Sequence, residues 1–192
     1  MTASVYARAL GERFGMLHPE LQRWFGSTAA VRASGIFDEA GSRHRWLRPV
    51  LGVTAKFGIL MSEHGRHVPF EVEMAPVGAS TIATRRVLHF ARTDRILSDT
   101  TRVARGRLID SFAGGRLQVE MVPDVAEGAL IVHSARARLM LGRYPLPVPT
   151  PRVRLRHAWD ADAAQHTIDV AVTVPVLGEV FGYRGHFTAR NA

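Results

Sequence analysis

The sequence predicts an α+β fold dominated by β structure: a curved antiparallel meander, or partial barrel, packed with N-terminal helices. Three observations lead there. The first quarter repeats its apolar residues at helical spacing. From about Val68 onward they alternate instead, in short runs separated by glycine and proline. Near the C-terminus, Arg152–Trp159 is mostly apolar at odd positions and carries arginine at three even ones, while Thr167–Val174 is apolar at even positions. If Leu155 pairs with Val170, then Val153 meets Val172, both greasy faces coincide, and Arg156 faces Asp169 on the wet side. A slip of one residue would put the arginines in the core, so the register is well specified.

Taken in order, Tyr6, Leu10 and Phe14 mark a first helix behind Ser4 as N-cap, with Gly15 as its stop. A second helix starts at Pro19, whose fixed φ suits a first turn; Leu21, Trp24 and Phe25 form its apolar side, and Gly26 ends it. A third helix is expected from about Arg43 to Phe57 on the spacing of Leu47, Val50, Leu51 and Thr54, with Pro49 tolerable only in its first turn. Ala29 to Phe37 reads as an early strand. Val68, Phe70, Val72 and Met74 then alternate with Pro69, Glu71 and Glu73, and Pro69 places that strand's start, or the strand itself, at an edge. Thr81–Phe90, Leu108–Phe112, Leu117–Met121, Leu130–Leu141 and a last strand from about Gly182 to Ala189 complete eight or nine strands, with Gly114-Gly115 as a tight turn. No helix–strand rhythm suggests a parallel sheet. The whole chain, 1–192, reads as a single domain, helical over about 4–57 and a sheet over about 68–190.

At 192 residues such a domain can bury a real core, and 46% hydrophobic content suits an ordinary globule. No apolar run reaches the roughly 18 residues of a membrane-spanning helix. Met1–Leu10 has no secretory pattern, and with Cys 0 there is neither disulfide nor thiol chemistry. A cytoplasmic location is the expectation. The net charge of +8 invites a nucleic-acid reading, but Lys56 is the only lysine and the arginines spread from Arg8 to Arg190 without a dense cluster. An arginine skew driven by genome composition, on a solvated surface, explains this better than a nucleic-acid footprint.

Short motifs along the chain resemble a bacterial family, the domain of unknown function 4166 (DUF4166). They are Leu17-His18-Pro19-Glu20-Leu21, Val68-Pro69-Phe70, Arg85-Arg86, Gly106–Phe112, Gly142–Pro147, Val174–Gly178 and Tyr183-Arg184-Gly185. The chain departs from the family in having Ala83 and Val87 beside the paired arginines, where members tend to carry aromatic residues. The resemblance implies an accessory or ligand-handling role, since such domains also occur appended to oxidoreductase-like chains of the saccharopine dehydrogenase type. It brings no catalytic residues.

Candidate chemistry is sparse. Glu63-His64-Gly65-Arg66-His67 is the most metal-like run, but its order and its glycine read as a solvated loop rather than a zinc helix, and no metal site is assigned. No G-x-S-x-G elbow, phosphate loop or second lysine beside Lys56 supports catalysis or a resident cofactor, so the balance leans away from an enzyme without excluding one. His157 and Trp159 share an apolar strand face, with Arg86 and His89 placed on another. The plainer reading makes these a satisfied core histidine and a snorkelling arginine. The sharper one makes Arg86, His89, His157, Trp159 and Tyr183 the few polar anchors of an apolar cavity. Arg152, Arg154 and Arg156 could grip an anionic partner or simply protect an edge from aggregation. Tyr144–Pro151, with proline at alternate positions, reads as a stiff crossing with Leu146 and Val148 packed down.

These readings rank a non-enzymatic domain enclosing a small hydrophobic or amphipathic ligand first. A module docking an oxidoreductase partner comes second, and nucleic-acid or anionic-membrane binding through the arginine face third.

Overall fold

Strict alternation of inward and outward side chains along antiparallel strands lets a sheet close on itself without an exposed edge. In the computed structural model, which describes residues 3–47, 49, 51, 52, 60–78 and 80–190, the strands are β1 (Val31–Gly41), β2 (His64–Gly78), β3 (Thr81–Phe90), β4 (Thr93–Ala104), β5 (Arg107–Phe112), β6 (Leu117–Ala126), β7 (Ala129–Leu141), β8 (Tyr144–Val148), β9 (Arg152–Asp160), β10 (Gln165–Val174) and β11 (Gly178–Arg190). Each of β1 to β7 pairs with the next, β11 returns to β1, and β9 joins β7, so ten strands form a closed antiparallel barrel. The remaining strand, β8, pairs with β7 beyond the stretch that β9 occupies. Strand β4, whose sequence alternates poorly, joins the predicted strands as an addition.

The predicted register of β9 and β10 is observed: Leu155 faces Val170, Val153 faces Val172 and Arg156 faces Asp169. The expected ion pair does not form. Asp169 lies in register with Arg156 on one side and Arg184 on the other, yet the ion pairs of the described residues include neither contact. Solvent-exposed charges gain too little from pairing to hold long side chains in one geometry.

The seam between β1 and β11 depends on two glycines. Gly35 faces Phe187 and Gly185 faces Phe37. A Cβ at Gly35 would sit 2.1 Å from the His186 carbonyl oxygen, and one at Gly185 would sit 2.1 Å from that of Ile36. Small residues opposite large ones let the Phe37 and Phe187 rings fill the barrel interior, where Phe37 stacks on Phe70 with centroids 3.8 Å apart.

Two short helices close one end. Helix α1 (Val5–Leu10) is capped by the Ser4 hydroxyl, which accepts from Ala7 N at 3.1 Å, and α2 (Pro19–Gly26) by the His18 ring, which accepts from Glu20 N at 3.3 Å. At six and eight residues neither is stable alone. Both are held by packing: α1 lies against β4, β5 and β6, α2 against β9, and Val5, Leu10, Leu21, Trp24 and Phe25 are buried. The first helix stops earlier than its spacing predicts, because Gly11 turns to φ 60° and a 3-10 segment, Gly11–Met16, carries Phe14.

Other expectations need correction. Of the third helix, the structure shows a 3-10 turn at Arg45–Leu47 and helical backbone at 49, 51 and 52; residues 48, 50 and 53–57 lie outside the described ones. His64–His67 is strand, not loop, with His64 Nε2 2.8 Å from Glu39 Oε1. Leu146 is not packed down: Tyr144–Val148 forms β8, and Leu146 remains exposed because no strand lies over it. Pro69 does mark a local edge, since the ladder from β2 to β3 begins only at Phe70. At the turn after β5, Ala113, Gly114 and Gly115 all have positive φ, at 53°, 65° and 87°. Among the described residues no helix is long and apolar enough to cross a membrane.

Candidate functional site in the barrel lumen

Inward-facing rows meet in a lumen that is mostly filled. A cavity of about 60 Å³ remains, bordered by Tyr6 from α1, Trp24 and Phe25 from α2, and Phe37, Phe70, Thr84, Arg86, Leu155, His157, Tyr183 and Phe187 among others from the barrel. That is room for about two water molecules, well under the roughly 300 Å³ at which drug-sized ligand sites begin.

Two polar clusters reach this space, one through Arg86 and the other through His157. On β3 and β4, Arg86 Nη1 donates to Asp99 Oδ1 at 2.6 Å. Burial works against the guanidinium's charge, but Asp99 more than offsets it, so Arg86 stays cationic. Across β4 and β5 the Thr101 hydroxyl donates to Asp110 Oδ1 at 2.7 Å. Burial, reinforced by the Asp99 charge, pushes the Asp110 carboxyl up to about 7. Burial likewise raises the Tyr6 and Tyr183 phenols, which therefore remain neutral donors. The second cluster sits under α2. His157 Nε2 and His166 Nδ1 are 3.1 Å apart, and Phe25 meets the His157 ring edge-on while Phe187 stacks on that of His166. Burial lowers His157 to about 3, helped by His166, and burial lowers His166 to about 4, so both rings are neutral at pH 7.

Of the residues singled out by sequence, the lumen brings together Arg86, His157 and Tyr183. Trp159 is half-buried beside it, stacked on His18 at 5.8 Å and edge-on to His166 at 5.0 Å. His89 belongs elsewhere: three residues from Arg86, it lies on the opposite strand face and its Nδ1 is 2.9 Å from Asp94 on the outer surface. Arg152, Arg154 and Arg156 are exposed on the outside, where Arg154 and Arg156 border an open groove of about 340 Å³ with Arg43, Arg184, Glu39 and Glu179. Glu39 is held well below the usual carboxylate range by its bond to Arg43, then by His64 and Arg184.

Sequence reasoning missed Tyr6, Asp99, Thr101, Asp110 and His166. Asp99 had one available signal, an acid on the strand next to Arg86 that could serve as its countercharge.

Comparison with known proteins joins this geometry to a family. A family model described as domain of unknown function (DUF4166) matches residues 17–187. The chain belongs to that family. No curated protein matches the sequence. The DUF4166 match spans both lumen clusters but begins after α1, so Tyr6 lies outside it.

Proposed function

We propose that this DUF4166 barrel binds a small amphipathic ligand in its lumen, with the apolar part among Phe37, Phe70, Leu155 and Phe187 and a neutral polar head at Arg86. The observation that carries this reading is Arg86 itself. It is a half-buried guanidinium, its side chain 22% exposed, bordering the residual cavity, with one side-chain hydrogen bond, to Asp99, among the described residues. A guanidinium has five N–H donors, so further donors remain for an acceptor. Arg86 and Asp99 cancel, and Asp110 is protonated below about pH 7. Wherever Asp110 holds its proton the lumen carries no net charge, and an added carboxylate would be buried without a countercharge. A hydroxyl, ester or ketone suits the site; a fatty acid does not.

Binding requires the 60 Å³ space to grow. The two helices are the part able to yield, because they are short and held largely by packing. Their polar ties include His18 N donating to the Gly128 carbonyl at 2.9 Å, and Arg13 pairing with Asp124 at 2.7 Å on the surface. Trp24, directly over the lumen, reports such a displacement. Titrating a monoacylglycerol into the full chain should shift tryptophan emission saturably, a matched fatty acid should do so far less, and Tyr183→Phe should weaken the response. Equal responses to both lipids, or none with either the parent or Trp24→Ala observed by lipid retention, would overturn the reading.

A further inference from the structure

The lumen-facing row of one hairpin runs out past the wall that should cover it. Across β7 and β8, Ala137 faces Val148, Leu139 faces Leu146 and Leu141 faces Tyr144, so these residues share a side. Ala137 is buried, but Leu139, Leu141, Tyr144 and Leu146 are 38%, 57%, 61% and 44% exposed. Scattered exposed leucines need no explanation; a contiguous row of them with a tyrosine at a hairpin tip does.

The hairpin's own charge has one sign, and the nearest acid across the β6 ladder, Glu120, lies opposite Arg136, away from the tip, and pairs with Arg107. From Gly128 to Trp159 the chain contains no aspartate or glutamate, while Arg136, Arg138 and Arg143 lie within the hairpin. Arg116 lies beside its outer end, its carbonyl accepting from Met140 N at 2.6 Å. At the tip, Arg143 lies over the Tyr144 ring at 5.1 Å and its Nη2 donates to the phenol oxygen at 3.0 Å. The outer edge of β8 cannot readily accept another strand, because Pro145 and Pro147 lack the N–H groups a ladder needs. The complementary surface offers apolar depth and negative charge and asks for no backbone hydrogen bonds.

We propose that the β7–β8 hairpin docks the protein onto an anionic lipid bilayer. Leu141 and Tyr144 enter the interface, where a tyrosine's apolar ring and polar tip both find their medium, and Arg116, Arg138 and Arg143 lie at the level of the lipid phosphates. The contact is peripheral, and it stands or falls independently of what the lumen binds.

Flotation of the full chain with vesicles of phosphatidylcholine, alone or mixed with phosphatidylglycerol, tests this. The protein should float with the mixed vesicles and not with phosphatidylcholine alone. Leu141→Ser with Tyr144→Ser should lower partitioning about tenfold or more through lost apolar insertion, and Arg138→Gln with Arg143→Gln about tenfold through lost charge. Arg154→Gln with Arg156→Gln, on the outer wall, should change it less than about threefold. All these side chains are at the surface, and circular dichroism verifies that each variant folds. No flotation with anionic vesicles overturns the proposal. So does binding that ignores the serine variants but falls with Arg154 and Arg156, which would mark the outer wall as a general polyanion surface of the kind nucleic acid uses.

Discussion

The histidine pair and the arginine–carboxylate group face the same lumen but meet burial in opposite ways. His157 and His166 shed their charge, and neutral imidazoles pack among Phe25, Trp24 and Phe187 as aromatic rings. Arg86 cannot do so, because a guanidinium stays protonated in proteins, and it keeps its charge by holding Asp99. Asp110 has no ion pair among the described residues, and burial with the Asp99 charge favours its protonated form. One side of the lumen is thus a floor of packed aromatic rings, and the other a set of hydrogen-bond donors and acceptors built around an ion pair. Under the proposed reading, the arginine side orients a polar head and the histidine side shapes an apolar tail.

Breaking the arginine side should have the largest effect. Arg86→Met leaves the buried Asp99 carboxylate alone and should cost about 3–5 kcal/mol in urea unfolding, while Arg86→Met with Asp99→Leu should recover most of that loss. Failure of the double variant to recover would mean that the pair does more than neutralise itself.

Acid sharpens the contrast, since the two clusters respond to pH with opposite signs. The folded histidines titrate at about 3 and about 4, below the usual 6.5, so the unfolded chain binds their protons first. Their contribution is present above pH 6.5 and is lost as pH falls, at up to about 1.4 kcal/mol per pH unit for each ring. Asp110 is raised from 3.8 to about 7 in the fold. Its contribution is full below pH 3.8 and is lost as pH rises through 7. The parent should therefore lose stability on acidification between pH 4 and 6.5, because two histidines outweigh one carboxyl, at a net slope of up to about 1.4 kcal/mol per pH unit. His157→Phe with His166→Phe should reverse its direction, so that thermal midpoints rise on acidification. Asp110→Asn should steepen the acid loss and raise the midpoint at pH 8 by several degrees, roughly 2–4 °C per kcal/mol, with little change at pH 4. Outside the barrel, Arg156→Gln should move stability by less than about 0.5 kcal/mol.

How much of this the sequence discloses depends on which way charge points. The β9–β10 register and the bounds of α2 and β3 are legible because their apolar and polar faces separate cleanly. Strand β4 is not, because its lumen side carries Arg95, Asp99 and Thr101, and inward charges look like an ordinary wet face. The same inversion hides Asp110 on β5. Arg86 is recoverable from its place in an alternating strand, whereas His89, three residues on, falls on the opposite face by that same alternation. Closure of the sheet into a barrel depends on the β7–β9 and β1–β11 pairings, whose partners lie far apart in the chain and carry no local signal.

The most direct test of the lumen as a ligand site is native mass spectrometry of the full chain incubated with equal amounts of a monoacylglycerol and a fatty acid of matched length. The account predicts one added mass per chain, that of the monoacylglycerol, diminished in Tyr183→Phe. Retention of the fatty acid in its place, or of neither lipid, would contradict it.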